Sequence, residues 1–337
     1  MSEKPVQTIE DIARLAHVSK STVSRALNNS PLISQQTKER IQAIAQEHNF
    51  RISAPARNLS LRQSHTIAFI TPDCEPDFFS TESLFGLEIL GGIGNGLRSL
   101  GYDLLIVHVN PQDNAWVNSY FDSSRVDGFI LMGSRTRPSL LKKLIEQKAP
   151  FIAWGVPLPN FRYCTVSGDN ITGGTLATHH LLQLGRQRIA FLGGPQNDLT
   201  VQHRFQGYEN ALLAAGHSVD ASRVIYGDYS HASSIAVMRR LLQQSPNLDA
   251  VFANSDLMAI GAIQVIKESG KRVPEDIAVV GYDDVSIAMY NNLPLTTIRQ
   301  NVPLAGKLLA QNLIQYIQTA VVTNVTTPVE LVIRQSA

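Results

Sequence analysis

The stretch Ile9–Asn28, IEDIARLAHVSKSTVSRALN, has the spacing of two short helices joined by a tight turn. Thr8 can cap the first helix, with Asp11 three residues on, where a capping box places its partner. Ile9, Ile12, Ala13 and Ala16 then share one face. The turn falls at Ala16-His17-Val18, where one residue must take a positive φ, and histidine is among the side chains that tolerate it. Ser19 has the chemistry of a second N-cap. Behind it Val23, Ala26 and Leu27 can pack on the first helix, leaving Lys20, Ser21, Thr22, Ser24 and Arg25 outside. That outer face is short, polar and cationic. It suits a DNA major groove, because Arg25 and Lys20 can donate to guanine edges or phosphates while small hydroxyls allow close approach. A plain amphipathic helix pair with a solvated polar face has the same spacing, so the neighbouring segments decide.

Those segments favour the DNA reader. Ser34 caps a third helix running to about His48 with Ile41, Ile44 and Ala45 as its apolar stripe, so three small helices can share one core. RISAPARNLSLR, Arg51–Arg62, follows; there Ser53 could cap a further helix with Pro55 in its first turn. Net charge over the 337 residues is only +1, yet residues 1–62 carry nine Lys and Arg against five Asp and Glu. The cationic excess sits where phosphate contacts would be needed. Cys74 and Cys164 lie far apart with no CxxC or Cys/His cluster, so neither a disulfide scaffold nor a zinc site is indicated. The start MSEKPVQT has no apolar run and no later stretch is long and apolar enough to span a bilayer, which points to a cytoplasmic protein with no membrane partner.

From Thr66 the pattern becomes apolar strands alternating with helices. The expected strands are Ile67–Thr71, Leu104–Val109, Gly128–Met132, Phe151–Trp154, Ile189–Leu192, Val224–Tyr226, Val251–Ala253, Ala278–Gly281 and Val329–Ile333. The expected helices between them are Ser139–Gln147, Thr172–Leu184, Gln206–Ala215, Ile235–Gln243, Met258–Glu268 and Leu304–Ile317. This order implies an α/β fold with parallel sheets covered by helices, and so many strands suit two lobes with a ligand cleft between them. The run Gly91-Gly92-Ile93-Gly94-Asn95-Gly96 lacks the Lys-Ser/Thr of a phosphate loop and reads as a thin helix packed closely on a neighbour or a dimer partner. No GxSxG elbow or metal-spaced His/Cys/Asp set is present, and the nine histidines are scattered, so no enzyme and no cofactor is expected.

VSKSTVSRALNN, the third helix ending in Asn49-Phe50, and Ala56-Arg57-Asn58-Leu59 resemble the DNA-binding headpiece and hinge of the lactose-repressor (LacI/GalR) family. Further on, VDGFILMG, VSGDNITGGTLATHHLLQLGRQRIAFLGGP, RFQGYENAL, DAVFANSDLMAIGAI, RVPEDIAVVGYDD and LTTIRQNV resemble its successive landmarks. The resemblance implies an all-α, lambda-repressor-like helix-turn-helix headpiece (residues 1–52), a hinge helix (53–62) and a type I periplasmic-binding-protein-like domain (63–337) for effector binding and dimerisation. Lobe one would span about 63–161 and 294–323, and lobe two about 162–293 and 324–337. It also implies a homodimeric transcriptional regulator, in the first place a repressor, that reads a near-palindromic operator in double-stranded DNA; a solute-binding protein of the same fold is the alternative. Candidate DNA contacts are Thr8, Ser19, Lys20, Ser21, Thr22, Ser24, Arg25, Asn28 and Arg57, with Leu59 as the minor-groove wedge.

Carried over residue by residue, the effector contacts fall on Arg204 and Asp283, a guanidinium and carboxylate able to clamp neighbouring hydroxyls. Gln300, Pro72, Asp73 and Phe78 or Phe79 join them, with Ser255 from the strand end and Tyr229 and Trp154 as aromatic platforms. Three departures from the family pattern stand out. Phe50-Arg51-Ile52-Ser53 replaces the usual tyrosine and proline before the hinge; Gly155 stands where sugar-binding members often have aspartate; and Ser255 precedes Asp256 where asparagine is usual, with Asn254 shifted by one. The effector expected is a carbohydrate or sugar phosphate, with a nucleobase or another small metabolite next.

Overall fold

Three helices with one small core make the first unit: α1 (Ile9–Leu15), α2 (Lys20–Leu27) and α3 (Gln35–Glu47). Ile12, Ala13, Ala16, Val23, Ala26, Ile41 and Ala45 are buried together, so each helix contributes its apolar stripe. The local signals form as read. Thr8 and Asp11 make the reciprocal capping box, and Ser19 and Ser34 accept from the backbone N–H three residues on. All three helices also stop in one way. His17, Asn29 and Asn49 take φ of 48°, 54° and 52°, and the next N–H returns to a carbonyl of the last turn: Val18 to Ala13, Ser30 to Arg25, Phe50 to Ala45. This is a Schellman ending built without glycine, on the side chains that best tolerate the left-handed region.

The structure, a computed structural model, describes residues 8–50, 63–72, 84–109, 115–132 and 138–337. The hinge with Arg57 and Leu59, and also Asp73, Cys74, Phe78 and Phe79, lie outside these residues. Contacts divide the chain into Met1–Ser64 and His65–Ala337.

The second unit holds two six-stranded sheets. Sheet one contains β1 (Thr66–Pro72), β2 (Asp103–Val109), β3 (Gly128–Met132), β4 (Phe151–Trp154), β5 (Cys164–Gly168) and β11 (Asn324–Thr327), ordered β11-β5-β4-β3-β1-β2 and parallel throughout. Sheet two contains β6 (Ile189–Gly193), β7 (Val224–Tyr226), β8 (Ala250–Ala253), β9 (Ala278–Asp283), β10 (Thr296–Arg299) and β12 (Glu330–Val332). Its order is β12-β10-β9-β8-β6-β7, with only β12 antiparallel. The central strands are buried along their whole length, as parallel strands covered on both faces must be.

Three of these strands correct the expected plan. β5, β10 and β11 were not among the expected strands, and their sheet membership moves the lobe limits. β5 and β11 belong to sheet one and β10 to sheet two, so the chain crosses between lobes after Gly168, after Arg299 and after Thr327 rather than near 161, 293 and 323.

Two glycine contacts set helix positions. In sheet one's cover, α4 (Leu84–Ser99) lies so close to α11 (Val302–Thr319) that a Cβ on Gly92 would stand 2.4 Å from the Pro303 carbonyl oxygen. The glycine-rich run is therefore a helix pressed on a neighbour. In lobe two, α6 (Asn170–Gln183) meets α7 (Leu199–Ala214) through Gly173, Gly174 and Gly207, and a Cβ on Gly174 would sit 2.1 Å from the carbonyl oxygen of Arg204. Gly174→Ala is thus expected to push α7 back, costing about 1–3 kcal/mol by overpacking. Thermal denaturation of the variant measures the loss, and an unchanged midpoint would mean that the helices separate freely.

Candidate functional site

The DNA-facing candidates lie on the first unit. The hydroxyl of Ser19, besides accepting from the Thr22 N–H at 3.1 Å, lies 2.8 Å from both the Ser21 and the Thr22 hydroxyls. The opening turn of α2 thus carries three linked hydroxyls in fixed positions. Lys20 pairs with Glu10 of α1 on an exposed surface, a contact weak enough to exchange for a phosphate. Arg25 is exposed, and its side chain has no hydrogen-bond or ion-pair partner among the described residues. Ser24 is half-buried, as is Asn28, whose Oδ1 is a buried acceptor without a partner. Thr8 donates its hydroxyl to Asp11. Lys38 and Gln42 of α3 bond to the carbonyl and side chain of Asn29, which ties down the far end of α2.

The effector candidates converge in the second unit at the carboxyl ends of the strands, where the parallel-sheet rule places ligands. Arg204, on α7, is only 4% exposed. Its Nε donates to Asn170 Oδ1 at 2.9 Å, Nη1 donates to the carbonyl and Oδ1 of Asn254, and the guanidinium lies over the Tyr282 ring, 3.6 Å from its centroid. Nη2 stops 3.8 Å short of Asp283 Oδ1, an ion pair too long for a hydrogen bond. Gln300 Nε2 donates to the same carboxylate at 2.6 Å. Burial opposes the charge on Arg204, but Tyr282, Asp283, Tyr229 and Asp198 together hold its pKa above the ordinary arginine value.

Asp283 and Asp284 both take positive φ, 112° and 56°, and side chains hold them there. Asp256 accepts from the Val285 N–H at 2.9 Å and the Thr297 hydroxyl at 2.5 Å. Asp284 is gripped by Arg299 at 2.7 Å and Arg334 at 2.6 Å. Burial pushes the Asp283 carboxyl up to about 7 against the pull of Arg204 and Gln300. Burial, then the charge of Asp283, raises Asp256 well above the carboxylate range. Across the cleft, Glu88 of α4 accepts from the N–H and hydroxyl of Ser286, both at 2.8 Å, so one carboxylate of lobe one holds the start of α10 (Ser286–Tyr290) in lobe two.

The structure thus brings together Arg204, Asp283 and Gln300 of the candidates. Tyr229 sits near them, with φ 72° and its ring against Gly194, where a Cβ would be 2.4 Å away. Pro72 ends β1. Two candidates are placed otherwise. Ser255 spends its hydroxyl capping α9 (Asp256–Glu268), accepting from the Met258 N–H at 3.2 Å, and Asn254 takes the position against Arg204. Trp154 is buried in the core of lobe one, its ring 5.8 Å from that of Phe85, and offers little free face.

Sequence reading missed Asn170, Asp198 and Tyr282. Asn170 and Tyr282 lie inside quoted landmarks, but nothing local marks a side chain that supports an arginine. Asp198 lies outside them, ahead of a helix expected only from Gln206. The atoms Asn254 Nδ2, Gln300 Oε1 and Asp198 Oδ2 are buried without hydrogen-bond partners. Buried polar atoms are normally satisfied, so a cluster of such exceptions beside a half-engaged arginine marks a place for a polar ligand. Among the described residues no group of three His, Cys, Asp or Glu could hold a metal, and no helix is long and apolar enough to cross a membrane.

Comparison with known proteins identifies the family of both units. The model described as bacterial regulatory proteins, lacI family, matches residues 8–53, and that of a periplasmic binding protein-like domain matches 178–337. The HTH-type transcriptional regulator CelR of Thermobifida fusca is 35% identical over 99% of this chain and 97% of its own length. The HTH-type transcriptional repressor CytR of Escherichia coli is 33% identical over 88% of this chain and 86% of its own. Among solved structures, a CelR–cellobiose complex superimposes with TM-score 0.75 at 34% identity, covering 98% of this chain and 99% of that one. A lac repressor dimer bound to operator and an anti-inducer does so with TM-score 0.83 at 29% identity, covering 99% of each. A DNA-reading headpiece followed by a two-lobed effector-binding domain, shared over nearly the full length with relatives above 30% identity, shows that the chain belongs to the lacI family of bacterial regulatory proteins.

Proposed function

We propose that this regulator is a homodimeric repressor of the cytoplasm whose grip on a near-palindromic operator is set by a small carbohydrate bound between the two lobes. The observation that carries the reading is the Arg204 cluster. A guanidinium fixed by Asn170, Asn254 and Tyr282, facing Asp283 and surrounded by unpartnered buried donors and acceptors, is complementary to adjacent hydroxyls. CelR with cellobiose, and the ribose operon repressor of Escherichia coli, 33% identical over 92% of this chain and 93% of its own length, support the carbohydrate class. The chain passes between lobes three times, so a ligand touching both sheets' carboxyl ends biases the angle between them. Coupling of this kind is typically worth about 1–3 kcal/mol. A solute-binding protein of the same fold would leave the cationic headpiece without use.

Selecting duplexes from a random library with the full chain, then testing mono- and disaccharides for their effect on the winning operator, examines this reading. A near-palindrome whose affinity responds to a sugar is the expected result; an operator indifferent to every sugar would exclude the effector class.

The site also predicts a pH dependence. Asp283 has its folded value raised from 3.8 to about 7. The folded state therefore keeps this proton longer, and the stability associated with it is complete below pH 3.8 and lost as pH rises through 7. Sugar hydroxyls donate to the ionised carboxylate, so affinity is expected to rise between pH 6 and 8, on the order of tenfold, with proton release on binding. Calorimetry in buffers of different ionisation enthalpy detects those protons, and their absence would mean that Asp283 is already ionised in the free protein.

A further inference from the structure

We propose that Glu10 is a positioning residue for DNA specificity: its ion pair keeps the Lys20 ammonium from backbone phosphates and leaves it to a neutral base edge. The inference rests on the operator reading above, with α2 facing the major groove, and adds a residue that is not among the candidate DNA contacts.

Two acids open α1, and the local fold uses one of them. Asp11 closes the capping box with Thr8 and pairs with Arg14. Glu10 reaches instead from α1 to Lys20, the first residue of α2. Both side chains are exposed, 62% for Glu10 and 65% for Lys20, so the pair adds little to stability. Its place is on the surface that α2 shows to solvent. An acid there works against the approach to a polyanion: residues 8–50 carry five Lys and Arg against four Asp and Glu, a margin of one charge. Of the two cations on α2, Lys20 is held by this acid, whereas the Arg25 side chain has no partner among the described residues. The pair is also well anchored. The Thr8 cap fixes the start of α1, and the linked hydroxyls of Ser19, Ser21 and Thr22 fix the start of α2.

The consequence follows from which acceptors the pair tolerates. An ammonium has three N–H donors, so Lys20 can hold Glu10 with one and still offer two. A guanine edge is neutral and presents N7 and O6, so it accepts those donors without disturbing the carboxylate. A phosphate is an anion. To take Lys20 it must displace Glu10 or stand beside it, like charge against like. Phosphate contacts carry no sequence information and base-edge contacts do, so the acid weakens the non-specific mode of binding and spares the specific one.

The test measures full-chain affinity for the selected operator and for a random duplex across a series of salt concentrations, in the wild type, Glu10→Gln, Lys20→Gln and the double variant. In Glu10→Gln non-specific affinity should rise by about 5- to 20-fold, because a dimer releases two exposed pairs, and its salt dependence should steepen by about one to two ion equivalents. Operator affinity should stay within about threefold, so the specificity ratio falls, and the melting temperature should hold. Lys20→Gln alone should cost operator affinity more than non-specific affinity, and in that background Glu10→Gln should leave the ratio where it is. An equal rise of both affinities, or no change in either, overturns the proposal. A fall in operator affinity alone also overturns it and makes Glu10 a direct acceptor from a cytosine amino group. A lower melting temperature with both affinities reduced marks a purely structural pair. A ratio that falls as far without Lys20 means that Glu10 repels phosphates by itself, which removes the role through Lys20. A wild type that binds its selected operator no better than random DNA overturns the operator reading itself.

Discussion

Arg204→Ala is expected to abolish the effector response and to destabilise the second unit by about 3–5 kcal/mol, the cost of stripping the partner from buried charged and polar groups. The size follows from what is left behind. Asp283 loses its cation, and Asn170 and Asn254 lose the donors that occupy their side-chain oxygens. Thermal denaturation reads the stability, and operator titration with and without effector reads the response. DNA binding by the effector-free variant should persist at temperatures where it is folded, since no headpiece residue is changed. Asp283→Asn provides the contrast. It keeps the shape and removes a carboxyl that holds its proton up to about pH 7, so near pH 8 the variant should be as stable as the wild type or more so, yet bind effector more weakly. A full effector response from Arg204→Ala would mean that the arginine merely ties α7 to its neighbours.

Arg25→Ala should have the second large effect, on the operator. A bidentate base contact is worth about 1–3 kcal/mol, and a dimer on a palindrome loses it twice, so affinity should fall by about 2–6 kcal/mol. Arg25 is exposed on the helix whose first turn is organised by the Ser19 hydroxyl, and among the described residues no partner holds its side chain. Two outcomes separate its role. A base contact relaxes preference at one position in each half-site; a phosphate contact weakens every sequence alike and makes the salt dependence shallower. Unchanged binding would remove Arg25 from the interface.

How much could be read in advance depended on whether the determinant was local. Thr8, Ser19 and Ser34 cap the helices they precede and His17 takes the positive φ, because each answers to atoms within a few residues. Gly128–Met132, Phe151–Trp154 and Val224–Tyr226 are strands at the limits expected, the first two as apolar runs buried on both faces. Cys164–Gly168, Thr296–Arg299 and Asn324–Thr327 escaped notice: they are short and rich in Thr, Ser, Asn or Gly, and main-chain pairing to neighbouring strands makes them extended. Helix α7 starts at Leu199, not Gln206, because the Asp198 cap outweighs the weak helix preference of Thr200 and Val201.

The sequence by itself determined the helix-turn-helix unit and the parallel α/β plan, since caps and periodicity are written in neighbouring residues, whereas the pair Arg204 and Asp283 became candidates through the resemblance of ordered landmarks to the lacI family. Only the tertiary structure decided that Asn254 rather than Ser255 meets Arg204, that Trp154 belongs to the core, and that Asn170 and Asp198 border the site. The physical reason is that these choices depend on where β8 ends, where α9 begins and how closely α6 and α7 approach through Gly174 and Gly207. Backbone pairing and close packing between segments far apart in the chain set those positions, and no local propensity encodes them.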